Sequence, residues 1–371
     1  MSQTLNGTAN AQTTDTTALK NTKPKTTRKL KTPELFIDGG SSHTKSYLEK
    51  IAGSYQSICR EFPKGHDIPT GYLGVFQIGD KGYAVGESAL SLSGGKLHEG
   101  YSDDNKIKLL AIWIIGALTT HPNFLFKKAK KVKLGVVEID LKLSLLSLSS
   151  HRKKEIEKAI NNIQFTFDDR EFKINITEYK LYPEGYGAAC AAKRWLKSND
   201  HKDAKFHVLD LGGGTFTHTP YSNLNGVPRA SNQKSVSGAG VMAITEFFAN
   251  EAPKGDTGGN IYHFSRLKEA LETSTINEDG TYSSVVIFGD GETDIGDRLH
   301  SGLEAWAREI VGVRELLRDI RQVLRKNERV FLTGGGFSVP TIQTFIANYL
   351  GNSENVILLD TPESINITGI K

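Results

Sequence analysis

Val208-Leu-Asp-Leu-Gly-Gly-Gly-Thr215 is a short apolar run that ends on an aspartate and breaks into three glycines. Two other stretches share this form. Phe36-Ile-Asp-Gly-Gly-Ser-Ser-His-Thr-Lys45 again sets an aspartate and glycines at the end of a strand. Val330-Phe-Leu-Thr-Gly-Gly-Gly-Phe337 repeats the glycines without the acid. Glycine lets backbone N–H groups approach phosphate oxygens with no Cβ in the way, and each aspartate can help hold a divalent cation. One glycine turn after a strand is ordinarily only a turn. Three in one chain, two of them with an aspartate, predict loops that face each other across a bound nucleotide.

At 371 residues the chain is long enough for two domains with separate cores. A hydrophobic share of 38% and a mean hydropathy of −0.35 fit a globular protein in water. The most apolar stretch, 107–118, is too short to span a bilayer and reads as a buried helix. Cys59 and Cys190 are far apart and have neither disulfide-framework nor metal spacing, which points to a reducing cytoplasm. The net charge of +4 is concentrated in residues 1–33, where six basic residues stand against Asp15 alone. The rest of the chain is close to neutral. This segment, rich in Thr, Asn, Gln and Lys, is expected to be a disordered basic tail without the marks of a secretory or transit signal. The lysines at 127, 128, 130, 131 and 133 have no interleaved aromatics and read as a solvated helix end, not a nucleic-acid site.

After Pro33 strands and helices alternate, giving an α/β expectation. Strands are predicted at 35–38, 44–48, 73–78, 83–85, 132–139, 164–167, 171–174 and 176–181, with helices at 107–118, 151–161 and 185–196. The polar stretch 199–205 is the best interdomain break. Strands at 206–211, 216–221, 227–236, 285–288 and 329–332 follow, with helices at 240–250, 265–273, 294–325 and 339–350 and a loop at 252–260. The repeat is at domain scale: strand, aspartate, glycine turn, strand, then helices, twice over. The predicted layout is a basic tail (1–33) and two duplicated domains, 34–198 and 199–371, around a nucleotide cleft, with the final helix packed back on the first domain.

Across roughly residues 34–350 the chain resembles the actin, Hsp70 and sugar-kinase superfamily, and within it the bacterial actin-like proteins of the ParM/StbA plasmid-segregation type. The first and second quoted segments resemble that family's two phosphate loops, and Leu332-Thr-Gly-Gly-Gly-Phe337 its adenosine loop. Tyr182-Pro-Glu-Gly-Tyr-Gly-Ala-Ala189 resembles a connecting segment. One departure stands out. Many relatives place an aspartate two residues after the threonine of the second loop; here that position is Thr217, followed by His218. A strand histidine bonded to its neighbours is the plainer reading of His218, and substitution for the lost polar group the other.

The resemblance implies an actin-like ATPase fold binding ATP and Mg²⁺. Asp38 is expected to anchor the metal, through water because magnesium gives up its hydration reluctantly, with Asp210 assisting it and catalysis. Gly39, Gly40, Ser41 and Ser42 are expected to offer N–H groups to the phosphates, and Lys45 a point charge. Gly212, Gly213, Gly214 and Thr215 form the opposing half of the clamp. Gly334, Gly335 and Gly336 are placed under the adenine or ribose, and Lys268 and Glu269 resemble positions that reach the base or ribose. Glu184 is the candidate for orienting the attacking water; a glutamate at a helix start can also serve only the helix dipole. The implied function is a filament-forming ATPase that segregates plasmid DNA through an adaptor protein, self-associating, with no sequence-specific DNA contact of its own and no membrane attachment. A filament that supports cell shape is the alternative, and a non-polymerising small-molecule kinase a more distant one. A chaperone is disfavoured, because little chain follows the last predicted helix.

Overall fold

Each of the two aspartate-bearing strands lies inside its own sheet, paired along both edges. The computed structural model describes residues 32–40, 42–100, 103–146, 148, 150–202, 205–224, 227–251, 264–288 and 291–370, and residues 32–371 fall in one unit. The expected basic tail through residue 31, Ser41 and the expected loop at 252–260 lie outside the described residues.

The first half runs β1 (Glu34–Gly39), β2 (His43–Leu48), β3 (Ile51–Gln56), β4 (Ile58–Phe62), β5 (Val75–Ile78), β6 (Lys81–Val85), α1 (Glu87–Ser91) and β7 (Lys96–Glu99). Next come α2 (Asp103–Lys108), α3 (Leu110–Thr119), α4 (Asn123–Ala129), β8 (Val137–Leu146), α5 (Lys153–Ile160), β9 (Ile163–Phe167), β10 (Arg170–Tyr182) and α6 (Tyr186–Ser198). These strands make one sheet in the order β3-β2-β1-β8-β10-β9-β5-β6-β4-β7. β8 lies parallel to both β1 and β10, so crossover helices must cover the sheet. α3 is apolar nearly all round, which suits a helix buried on every side. Its Trp113, Ile114, Ile115 and Leu118 pack with Ile37, Leu143 and Leu145 of the sheet.

The second half runs β11 (Lys205–Leu211), β12 (Thr215–Leu224), β13 (Val227–Ala230), β14 (Lys234–Ser237), α7 (Val241–Glu251), α8 (Phe264–Glu272), β15 (Thr275–Ile276) and β16 (Tyr282–Ser283). It continues through β17 (Val285–Phe288), β18 (Gly291–Asp294), α9 (Gly296–Glu309), α10 (Val311–Arg325), β19 (Arg329–Thr333), α11 (Pro340–Tyr349), β20 (Val356–Leu358) and α12 (Ile365–Thr368). β13-β12-β11-β19-β20 form the sheet, with β14 also paired to β12. Because side chains alternate along β11, its two faces feed two cores. Leu209 and Leu211 pack with residues of α7, α9, α10 and α11. Phe206 and Val208 face Ala188, Ala189 and Ala192 of α6. The small alanines of α6 thus bring a helix from the first half close against the second sheet, while α12 touches α6, β1 and β2.

Several expectations change. The strand predicted at 132–139 begins at Val137 and runs on to Leu146, and Leu134 is 91% exposed. β3, β4 and β7 have no counterpart among the predicted strands; β3 and β7 carry few buried residues. The segments 171–174 and 176–181 are one strand, β10, with its register shifting between Ile176 and Glu178. The helix predicted from 107 is interrupted at Leu109, where ψ is 9°. The long one from 294 divides at Ile310, whose ψ of 105° ends α9 and starts α10. β20 and α12 follow the helix expected to be the last one.

His218 settles on the face of β12 turned away from Asp210, with its Nε2 2.9 Å from His207 Nδ1. His207 Nε2 is in turn 2.6 Å from Glu328 Oε2. One assignment satisfies the chain: His207 donates to the carboxylate and accepts from His218, whose Nδ1 remains a bare lone pair among the described residues. Burial, then His207, hold the His218 pKa down at about 4, while Asp319 opposes the shift and Lys234 reinforces it.

This packing can be tested at two positions. A Cβ on Gly187 would lie 1.9 Å from the carbonyl oxygen of Asn366 in α12, and a main-chain oxygen cannot rotate aside. Overpacking costs about 1–3 kcal/mol where side chains can yield; Gly187→Ala should exceed that range in urea unfolding and displace α12. The second position concerns pH. Between pH 6.5 and about 4 the unfolded chain binds a proton at His218 that the folded chain refuses, so stability falls as pH drops through that window. The loss from this residue is on the order of 3 kcal/mol. His218→Gln keeps a donor for His207, and its unfolding midpoint should vary less between pH 7 and pH 4.5 than that of the wild type.

Candidate functional site

Asp38 ends β1 and is 5% exposed. Its direct partner across the hairpin is Lys45 of β2, so the two side chains share one face of the sheet. Between them the chain turns through Gly39 and Gly40. Ser57 Oγ donates to the Gly40 carbonyl at 2.6 Å and lies 3.0 Å from Thr44 Oγ1, which pins this turn from below. Ser42 Oγ lies 3.0 Å from His43 Nδ1.

The second glycine turn is held by α7. Gly212 N–H donates to the Thr215 carbonyl, and the carbonyls of Gly212 and Gly213 accept from the first amides of α7, Val241 and Met242, at 3.0 Å each. In a trans peptide the N–H points opposite to the carbonyl. The N–H groups of Gly213 and Gly214 therefore point away from α7. The two turns meet closely: a Cβ on Gly213 would lie 2.7 Å from Ser42 Cβ. Glycine is needed there so that the two loops can approach.

Asp210 sits at the end of β11, 7% exposed. Its Oδ2 accepts from Asn366 Nδ2 at 3.1 Å, and Asn366 Oδ1 accepts from the Ala188 amide in the first turn of α6 at 3.3 Å. Burial is the main influence on its carboxyl and raises the pKa; Asn366 and Lys45 oppose the rise, and Asp38 adds to it. Asp38 and Lys45 of the first sheet are thus near enough to act on the charge of Asp210 in the second. Thr333 and Thr217 are the register partners of Asp210 on its two sides, and Ser235 follows Thr217, forming a polar row across four strands. Thr217, at the position where the resemblance leads to an expected aspartate, bonds Ser235 Oγ at 2.9 Å and contributes no charge. His218 points to the opposite face and does not substitute for it.

Glu184 lies in the turn before α6, where Gly185 adopts φ 76° as the helix N-cap. A Cβ on Gly185 would lie 3.5 Å from the Tyr221 hydroxyl and 4.0 Å from Val208 Cγ1, which sets the turn close to β11 and β12. Lys268 of α8 is brought toward the first glycine turn: after burial it is the largest influence lowering the His43 pKa, ahead of Lys45. Lys268 also lies 3.6 Å from Glu272. Glu269 is exposed on the same helix. In the third glycine segment, Gly334 has φ 95°, and a Cβ there would lie 2.3 Å from Asp210 Oδ1. A Cβ on Gly336 would lie 2.5 Å from the Leu211 side chain, whereas Gly335 has open space above it. Close packing on β11 thus accounts for two of the three glycines, leaving Gly335 as the exposed point of the turn.

Asn366 and Ser57 carry no signal strong enough to mark them in the sequence. Asn366 stands between isoleucines in a helix of four residues, too short to show a period, and its polarity within that run is the one hint it gives. Ser57 joins β3 to β4, two strands that the sequence pattern does not predict.

The residues fit a metal-bound nucleotide. Glycines that a Cβ would force into contact line both turns, and two carboxylates stand beside a lysine. Among the described residues no group of three or more His, Cys, Asp or Glu could hold a metal. A buried carboxylate whose pKa is raised weakens the fold once the pH is above that pKa. Asp210→Asn, which retains an acceptor for Asn366, should therefore raise the melting temperature of the nucleotide-free protein at pH 7.5 while weakening Mg²⁺-dependent nucleotide binding, as read by calorimetry.

No family model matches the chain. Among solved structures it is similar to an archaeal actin homolog at 17% identity, with a TM-score of 0.64 over 91% of this chain and 97% of that one. A 15-stranded ParM filament from Clostridium botulinum aligns at 17% identity and a TM-score of 0.61, covering 92% and 98% of the two chains. The actin-like protein Alp7A aligns at 16% identity and 0.61, over 91% and 94%. The archaeal homolog has also been solved in complex with ADP. The chain is an α/β protein with the fold shared by actin homologues and ParM proteins.

Proposed function

We propose that this protein is an actin-like ATPase whose copies assemble into filaments, and that the filaments segregate plasmid DNA through an adaptor protein bound to that DNA. The observation that supports it most directly is the close approach of the two glycine turns at Gly213 and Ser42, with Asp38 and Lys45 near enough to act on the charge of Asp210. The shared fold adds support, since one ParM of that fold was solved as a filament and an archaeal homolog with ADP. We assign residues 34–198 and 199–371 to two domains, with α6 and α12 as the elements that reach across. Among the described residues no helix is long and apolar enough to cross a membrane.

Bound Mg²⁺–ATP supplies the phosphoryl group to be transferred to water and the cation that offsets its charge. Asp38 and Asp210 would hold the hydrated cation. Lys45 would set its ammonium against the phosphates, and the N–H groups of Gly213 and Gly214 would donate to them. Lys268 of α8 would reach toward the nucleotide. Glu184 would orient the attacking water and accept its proton.

Filament assembly draws its free energy from the subunit interfaces that the ATP-bound shape favours, so hydrolysis governs turnover and not polymerisation. Loss of one positioning group costs a factor of roughly a hundred to a thousand in rate. Glu184→Ala should still sediment with ATP and Mg²⁺, release phosphate slower by that factor, and disassemble late. Sedimentation and phosphate release measured on one sample check both halves. Normal phosphate release would remove Glu184 from the mechanism, and absence of sedimentation in both proteins would refute the filament reading.

A further inference from the structure

Tyr221 is 1% exposed, and its hydroxyl has no hydrogen-bond partner among the described residues. The ring itself is well accounted for. It stacks on Phe206 at 5.6 Å with the planes 12° apart, and it belongs to the core shared by β11 and α6. Phenylalanine would fill the same space and make the same stack. A buried hydroxyl without a partner costs about 1–3 kcal/mol, so packing alone gives no reason for the oxygen. Its position supplies one. A Cβ on Gly185 would lie 3.5 Å from it, so the hydroxyl stands directly beneath the Glu184–Gly185 turn.

We propose that Tyr221 is a positioning residue for hydrolysis: in the nucleotide-bound state its hydroxyl donates to one carboxylate oxygen of Glu184, leaving the other oxygen for the attacking water. This rests on the ATPase reading above. The arrangement follows the general rule that a catalytic base is itself oriented by a third group. Burial first, then the charges of Asp210, Cys190 and Glu184, raise the phenol pKa and keep it protonated as a donor. Gly185, with φ 76°, lets the turn pass over the ring at this distance.

Tyr221→Phe in the full chain, assayed with ATP and Mg²⁺, tests the inference. The expected result is a fall in kcat of roughly ten- to a hundredfold with KM for ATP unchanged, because a misplaced group loses rate without losing binding. Thermal stability should hold or rise, which separates this role from a structural one. The Tyr221→Phe/Glu184→Ala double variant should be no slower than Glu184→Ala alone. Unchanged kcat in Tyr221→Phe, a matching shift in KM, or further slowing in the double variant would each overturn the proposal. If the wild type hydrolyses no ATP, the ATPase reading fails by itself. A crystal structure with an ATP analogue reads the contact apart from turnover: a Tyr221–Glu184 hydrogen bond is expected, and separation of the two groups overturns the proposal.

Discussion

A buried carboxylate sets the conditions for the rest of the cleft. Asp210 is carried into a poorly hydrated position by β11, and burial is the largest influence on its charge. Its neighbours are arranged around that constraint. Asn366 donates to one of its oxygens, and Gly334 has no side chain where one would meet the other. Through Asn366 the same carboxylate is tied to the first turn of α6, and so to the backbone just after Glu184. The C-terminal α12 is thereby part of the site's architecture, although it follows Gly334–Gly336 by some thirty residues. The tight crossing of α6 and α12 at Gly187 serves this link, since any side chain there would separate Asn366 from Asp210.

The parts legible in the sequence are those that announce themselves locally. Val330–Leu332 is a continuous apolar run and Val208–Leu211 one broken only by Asp210, because both faces of β11 and β19 are covered, and the glycines that follow mark where the backbone turns. The strands that stay hidden are of another kind. β3 has two exposed residues at its start and β7 is largely exposed, so neither shows a periodic apolar face. Sequence pattern starts β8 too early because Val132 and Leu134 look like strand residues, while burial begins only at Val137. Gly334 and Gly336 illustrate a different limit. The sequence shows that glycine is required, but the reason lies in β11, which is more than a hundred residues earlier in the chain. Tyr221 has no sequence signal at all, because an unpaired hydroxyl is visible only once its surroundings are known.

Thr217 shows how the site departs from the relatives' pattern. It is 2% exposed, beside Asp210 in register, and its hydroxyl is committed to Ser235. An aspartate there would place a second carboxylate next to one that burial already disfavours, with no lysine of its own in the polar row. Threonine keeps a hydrogen bond between β12 and β14 beside Asp210 without that charge. His207 and His218 use the opposite face for an independent buried chain ending on Glu328, so the two faces of the same strands divide their polar work.

The charges also bear on which ligand the proposed cleft favours. Asp38 adds to the raised pKa of Asp210 and Lys45 opposes it with the larger effect of the two, but burial outweighs both. A free triphosphate would add negative charge to the same space and meet both carboxylates unfavourably. A divalent cation reverses the sign of each of these interactions: it attracts both aspartates and the phosphates, and it relieves the cost of keeping Asp210 ionised. Without the cation Lys45 is the only one of the three charges that favours phosphate. On the proposed reading the two aspartates would select the metal-bound nucleotide over the free one. Their positions on separate sheets make that selection depend on how closely the two glycine turns approach.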